Sequence, residues 1–158
     1  MKKLRKVIAA VMIASMGLSL ASCKSYKKIS SDEFTKIMEE NDYEVYEEDF
    51  RGYKEYLYAV NEDGTITFEY YLGEKKSVVN DFFDAAHDNL KAENKSGTIK
   101  QTTNKITFKG KMDEDSSLAD LEYVVLIKSD DMLIAAYSTS KDSDYIDEVD
   151  DLMKEMCG

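Results

Sequence analysis

LEYVVLIKSDDMLIAAYS, residues 121–138, reads as two strands around a turn. Within Leu121 to Lys128, Leu121 and the consecutive residues Tyr123 to Ile127 are apolar, and within Met132 to Ser138 so are Leu133 to Tyr137. Ser129-Asp130-Asp131 supplies the turn between them. Strands apolar on both faces belong in the middle of a sheet with both sides at least partly covered. A sheet of that kind needs helices to cover it, and the flanking sequence provides them.

Towards the C-terminus, Asp142 to Met156 repeats apolar residues at helical spacing: Tyr145, Ile146, Val149, Leu152, Met153 and Met156. Towards the N-terminus, Glu74 to Glu93 does the same with Val78, Val79, Phe82, Phe83, Ala86 and Leu90. A shorter helix is expected from Ser30, with Glu33 three residues on as a capping box. Its apolar face is Phe34, Ile37 and Met38, and Asn41-Asp42 ends it.

The remaining strands are Tyr43–Phe50, Tyr53–Asn61, Thr65–Leu72, Thr98–Thr102 and Ile106–Gly110. Asn61-Glu62-Asp63-Gly64 has hairpin-turn residues. In Thr65–Leu72 the large apolar residues alternate with Thr67, Glu69 and Tyr71, which predicts one dry and one wet face. Residues 94–112 hold five lysines and no acid. Lys100, Lys105, Lys109 and Lys111 read as guards on an edge hairpin, where charge discourages pairing with another chain. The order is α-βββ-α-ββββ-α. This predicts an α+β fold: an antiparallel sheet of about five to seven strands with helices packed mainly on one face.

The N-terminus is of another kind. Lys2, Lys3, Arg5 and Lys6 precede an uncharged apolar run, Val7 to Leu20, of 14 residues. A membrane-spanning helix needs about 20. The run suits the apolar core of a cleaved secretion signal. Leu20-Ala21-Ser22-Cys23 resembles the bacterial lipobox. The resemblance implies cleavage before Cys23 and transfer of a diacylglyceryl group to its thiol. Two acyl chains hold a protein stably at a membrane, where one does so only marginally. The expected organisation is a signal peptide over 1–22, a lipidated cysteine with a basic tether over 23–29, and a single acidic domain over 30–158. Lys24, Lys27 and Lys28 would lie beside the lipid surface. In layout the chain resembles small lipoproteins of clostridia and related Gram-positive bacteria. That resemblance implies display on the outer face of the cell membrane and brings no activity with it. In a two-membrane bacterium, Lys24 in the second mature position would favour the outer membrane.

Of the 21 Lys and Arg residues, four lie before Val7 and three between Lys24 and Ile29. The body from Ser30 therefore carries 14 bases against 32 acids, a net of −18. Such a body should avoid nucleic acid, which needs clustered Lys and Arg. It could attract cations or basic partners.

Little else points to chemistry. His87, the only histidine, stands between Asp84 and Asp88 on the second helix, without the convergent ligands a metal needs. Acids cluster at Glu47-Glu48-Asp49, at Asp113-Glu114-Asp115 and from Asp142 to Asp151. The last set could bind calcium weakly but does not match an EF-hand loop, and reads better as a solvated helix face. With Cys23 used by lipid, Cys157 has no partner within the chain. Seven of the 11 tyrosines lie between Tyr43 and Tyr71, as cross-strand packing or as a binding surface. Nucleophile and phosphate-loop signatures are missing. The expectation is a non-enzymatic, lipid-anchored extracytoplasmic protein without a cofactor. Its partner would be an envelope protein or component; the alternative is a small-ligand or cation binder associated with transport.

Overall fold

A computed structural model describes residues 25–158. Ten elements follow in the expected order: α1 (Ser31–Glu40), β1 (Glu44–Glu47), β2 (Tyr53–Val60), β3 (Ile66–Gly73), α2 (Lys76–Ala92), β4 (Asn94–Gln101), β5 (Lys105–Met112), β6 (Tyr123–Ser129), β7 (Met132–Ser138) and α3 (Ser143–Cys157). The fold is α+β, with one seven-stranded sheet in the order β1-β2-β3-β7-β6-β5-β4. Every neighbouring pair is antiparallel.

Two meanders, β1-β2-β3 and β4-β5-β6-β7, meet where β3 pairs with β7. Both are heavily apolar, so the seam lies in the dry centre of the sheet. α2 links the meanders by crossing from the end of β3 to the far edge. Its 17 residues extend about 25 Å at 1.5 Å per residue. The four strand spacings it crosses measure about 19 Å.

Alternation along the central strands feeds two cores. Met132, Ile134 and Ala136 of β7, with Val125 and Ile127 of β6, meet Phe34, Ile37 and Met38 of α1 and Ile146, Val149 and Leu152 of α3. Leu133, Ala135 and Tyr137, with Val124 and Leu126, meet Val79, Phe83, Ala86 and Leu90 of α2. Each Val, Leu, Ile, Phe or Met side chain so buried contributes about 1.5–3 kcal/mol before entropy is counted. Two helices thus share one face and α2 covers the other.

That placement corrects the reading of β3. Its second face is not wet: Thr67, Glu69 and Tyr71 are all buried. β3 sits third in the sheet, and α2 leaves its end and turns back over that face. β4 also starts earlier than its pattern suggests, at Asn94, because Glu93 ends α2 and the chain enters the sheet at once. β4 is an edge strand and its partner β5 lies just inside, as the lysine-rich hairpin implied.

Local chemistry explains several boundaries. Ser30 caps α1, its Oγ accepting from Glu33 N at 3.2 Å. The β2–β3 turn closes with Gly64 at φ +73°, where a side chain would be strained. Opposed glycines let β4 and β5 approach: a Cβ on Gly97 would lie 2.4 Å from the Phe108 ring.

The described part of the tether, residues 25–29, is not a free linker. Ile29 is buried. Ser129 Oγ donates to Tyr26 O at 2.7 Å, Lys27 N donates to Cys157 O at 3.0 Å, and Tyr70 Oη donates to Ile29 O at 3.2 Å. Lys28 pairs with Asp131, and Lys27 with Glu33. The segment fills the gap between the β6–β7 turn and the end of α3, so its backbone groups find partners there rather than in water.

Candidate functional site

On the α2 face, the helix covers β3 to β4 and stops short of β1 and β2. The margin it leaves is aromatic. Tyr53, Tyr56 and Tyr58 come from β2, Tyr46 from β1, Tyr71 from β3, Phe82 from α2 and Phe50 from the β1–β2 connection. Tyr56 and Tyr71 occupy opposed positions of paired strands, with ring centroids 4.8 Å apart. Phe50 lies against Tyr53, Tyr56 and Tyr71 at 5.2–5.7 Å. Phe82 closes the other side, 5.0 Å from Tyr71.

Beneath these rings lies Glu69, 4 % exposed. Tyr56 Oη donates to Oε1 at 2.9 Å and Tyr71 Oη to Oε2 at 2.8 Å. Tyr137 hydrogen-bonds the same carboxyl from β7. The phenols of Tyr71 and Tyr137 are held well above their ordinary pKa, first by burial and then by the Glu69 charge. A buried carboxyl is tolerated only where donors surround it, and here tyrosines act as those donors.

Further out, Tyr46 and Tyr58 stack at 5.0 Å. Tyr46 is 39 % exposed, the one exposed large hydrophobic side chain among the described residues. It lies on β1, an edge strand of four residues, and its hydroxyl donates to Glu44. Glu47, Glu48 and Asp49 follow along the same edge, so aromatic faces and carboxylates stand side by side. Such a margin can stack on planar or sugar-like groups and attract cations.

A second feature lies where residues 25–29 dock. A polar groove of about 540 Å³ runs between Tyr26, the start of α2 and the β4–β5 and β6–β7 turns. Lys128 Nζ donates to Asn80 Oδ1 at 2.8 Å and lies 4.5 Å from the Phe83 ring centre. Partial burial lowers its pKa. Lys76 faces Asp130 at 3.9 Å.

A third is an apolar cavity of about 20 Å³ between α2, β6, β7 and the 113–122 segment. Leu118, Leu121, Tyr137 and Asn89 line it, and Asn89 Nδ2 has no hydrogen-bond partner among the described residues. It has room for about one water molecule.

Cys23, the expected lipid site, lies outside the described residues. His87 Nδ1 is 3.5 Å from Asp88 Oδ1. Among the described residues no three His, Cys, Asp or Glu side chains are placed to hold a metal ion. Cys157 is buried in the α1/α3 core, which pushes its thiol up to about 12. A thiol so protonated and covered is unsuited to exchange. The acidic stripe of α3 is partly bonded: Tyr43 Oη donates to Glu148 and Tyr123 Oη to Asp150, both at 2.7 Å.

Sequence reasoning missed Glu69, because alternation placed it on a wet face. The available signal was its company: a strand with tyrosines at positions 70 and 71, beside another with tyrosines at 53, 56 and 58. No protein-family model, curated protein or solved structure matches the chain.

Proposed function

We propose that this chain is a lipid-anchored extracytoplasmic protein, without enzymatic activity, that binds an envelope protein through the aromatic margin of β1 and β2. The observation that carries the binding half is the Tyr46–Tyr58 stack. Tyr46, exposed on an open sheet edge, stacked on the half-buried Tyr58 and rimmed by Glu44, Glu47 and Glu48, is costly to leave in water and favourable to cover. The carboxylates select a partner with Lys or Arg at the contact. The rigid cluster around Glu69 holds the tyrosines in place before binding, which reduces the entropy lost on association. Leu20-Ala21-Ser22-Cys23 supports the anchored half.

Two experiments test the halves separately. Cys23→Ala should abolish incorporation of labelled lipid and displace the protein from the membrane fraction; persistent labelling removes the anchor. A photoreactive residue at position 46, in cells at native abundance, should capture a reproducible protein band that competes with unmodified protein. Absence of any such band removes the partner.

A further inference from the structure

We propose that the end of the molecule carrying residues 25–29 is a lipid-facing surface that rests on anionic bilayer headgroups and orients the body. The proposal rests on the reading of Cys23 as the lipid site. Cys23 is only two residues before Ser25, and Tyr26 to Ile29 are bonded to the body. Two extended residues reach about 7 Å. A lipid on Cys23 would therefore bring this end, and no other, against the membrane.

The charge of the molecule agrees with that placement. β3 ends here, α2 begins here, and the β4–β5 and β6–β7 turns lie here. Lys28 and Lys76 are balanced by Asp131 and Asp130. Lys54, Lys75 and Lys100 are exposed at the same end. The opposite end is different in kind. Its 113–122 segment carries five carboxylates and no base, and Glu62 and Asp63 occupy the β2–β3 turn. Cleaved before Cys23, the molecule keeps 17 bases and 32 acids, a net of −15. Glu74, Asp130 and Asp131 stand among the lysines of the anchor end, whereas the 113–122 segment and the β2–β3 turn carry carboxylates without a base. An anionic surface attracts lysines within about a Debye length, 8–10 Å, and repels the acidic end. The polar groove beside Tyr26 opens at this surface, with Lys76 and Lys128 on its wall facing Asp84 and Asp130.

The test uses the lipidated full-length product, reconstituted in phosphatidylcholine vesicles with and without phosphatidylglycerol. Amine acylation read by mass spectrometry reports each lysine. With phosphatidylglycerol, Lys54, Lys75 and Lys100 should react roughly fivefold more slowly than in detergent, as a favourable term of about 1 kcal/mol per lysine implies, while Lys91, Lys109 and Lys141 should not change. Triple replacement K54E/K75E/K100E should remove the phosphatidylglycerol-dependent protection of Lys76, which stays at the same end as a reporter. Equal reactivity of both sets, or protection indifferent to phosphatidylglycerol, overturns the proposal. The mass of the Cys23 peptide is read in the same experiment. A peptide without diacylglyceryl refutes the anchor, and flotation of that protein with phosphatidylglycerol vesicles then decides the surface alone.

Discussion

Tyrosine hydroxyls do in this protein what lysine and arginine do in most. The body from Ser30 carries 32 acids and 14 bases, so many carboxylates lack a cation. Tyr43 with Glu148, Tyr123 with Asp150, Tyr145 with Asp63 and the trio on Glu69 supply neutral donors instead. Removing one donor from the trio leaves Glu69 buried and less satisfied. Tyr71→Phe should cost about 1.5–3 kcal/mol, the range for hydrogen bonds to charged groups, read as a lower urea midpoint with unchanged slope. A loss below the error of the measurement would show that the bond contributes nothing net.

Alkaline pH follows from the same residues. Burial raises Tyr53 and Tyr70 to about 12, and Tyr71 and Tyr137 are raised as well. In the unfolded chain each titrates near 10. Above that value the unfolded state loses protons that the folded state keeps, so stability falls as pH rises. It is fully present below pH 10 and is lost progressively between 10 and 12. Tyrosine absorbance should therefore show a late ionisation step that coincides with loss of circular dichroism. Smooth titration of all 11 tyrosines near 10 with the fold intact would contradict the burial.

At the scale of elements, the docked N-terminal segment and α3 depend on each other. Lys27 N bonds the last turn of α3, and Ile29 and Met156 share a core. Ile29→Ala removes most of a side chain that is 2 % exposed, and should cost about 2–5 kcal/mol. Hydrogen exchange should quicken in the last turn of α3 as well as around residue 29. Exchange changes confined to residues 25–29 would mean that the segment is a separable strap. Gly97 makes a parallel case within the β4–β5 hairpin. Gly97→Ala would push a methyl group into the Phe108 ring, with an expected loss of about 1–3 kcal/mol.

Across the whole molecule, charge works against compactness. A net of −11 lowers stability through self-repulsion, which salt screens. Raising sodium chloride from low to physiological strength should raise the melting temperature by a few degrees. Calcium at equal ionic strength should add nothing if the acidic stripes are solvated faces. A further, saturable calcium shift would reveal a specific site.

Composition and periodicity were enough for the number, type and sequence of the ten elements, because each apolar face has a period set by its own backbone geometry. Ser30 was legible as a cap and residues 94–112 as an edge hairpin, since both depend on neighbours in the chain. Strand order, the burial of Glu69 and the docking of residues 25–29 were not. Each is a contact between segments far apart in sequence: position 69 with position 137, position 26 with position 129. Alternation tells which residues share a face, but not what covers that face. Only the path of α2 over β3 made a nominally wet surface the floor of a buried tyrosine cluster.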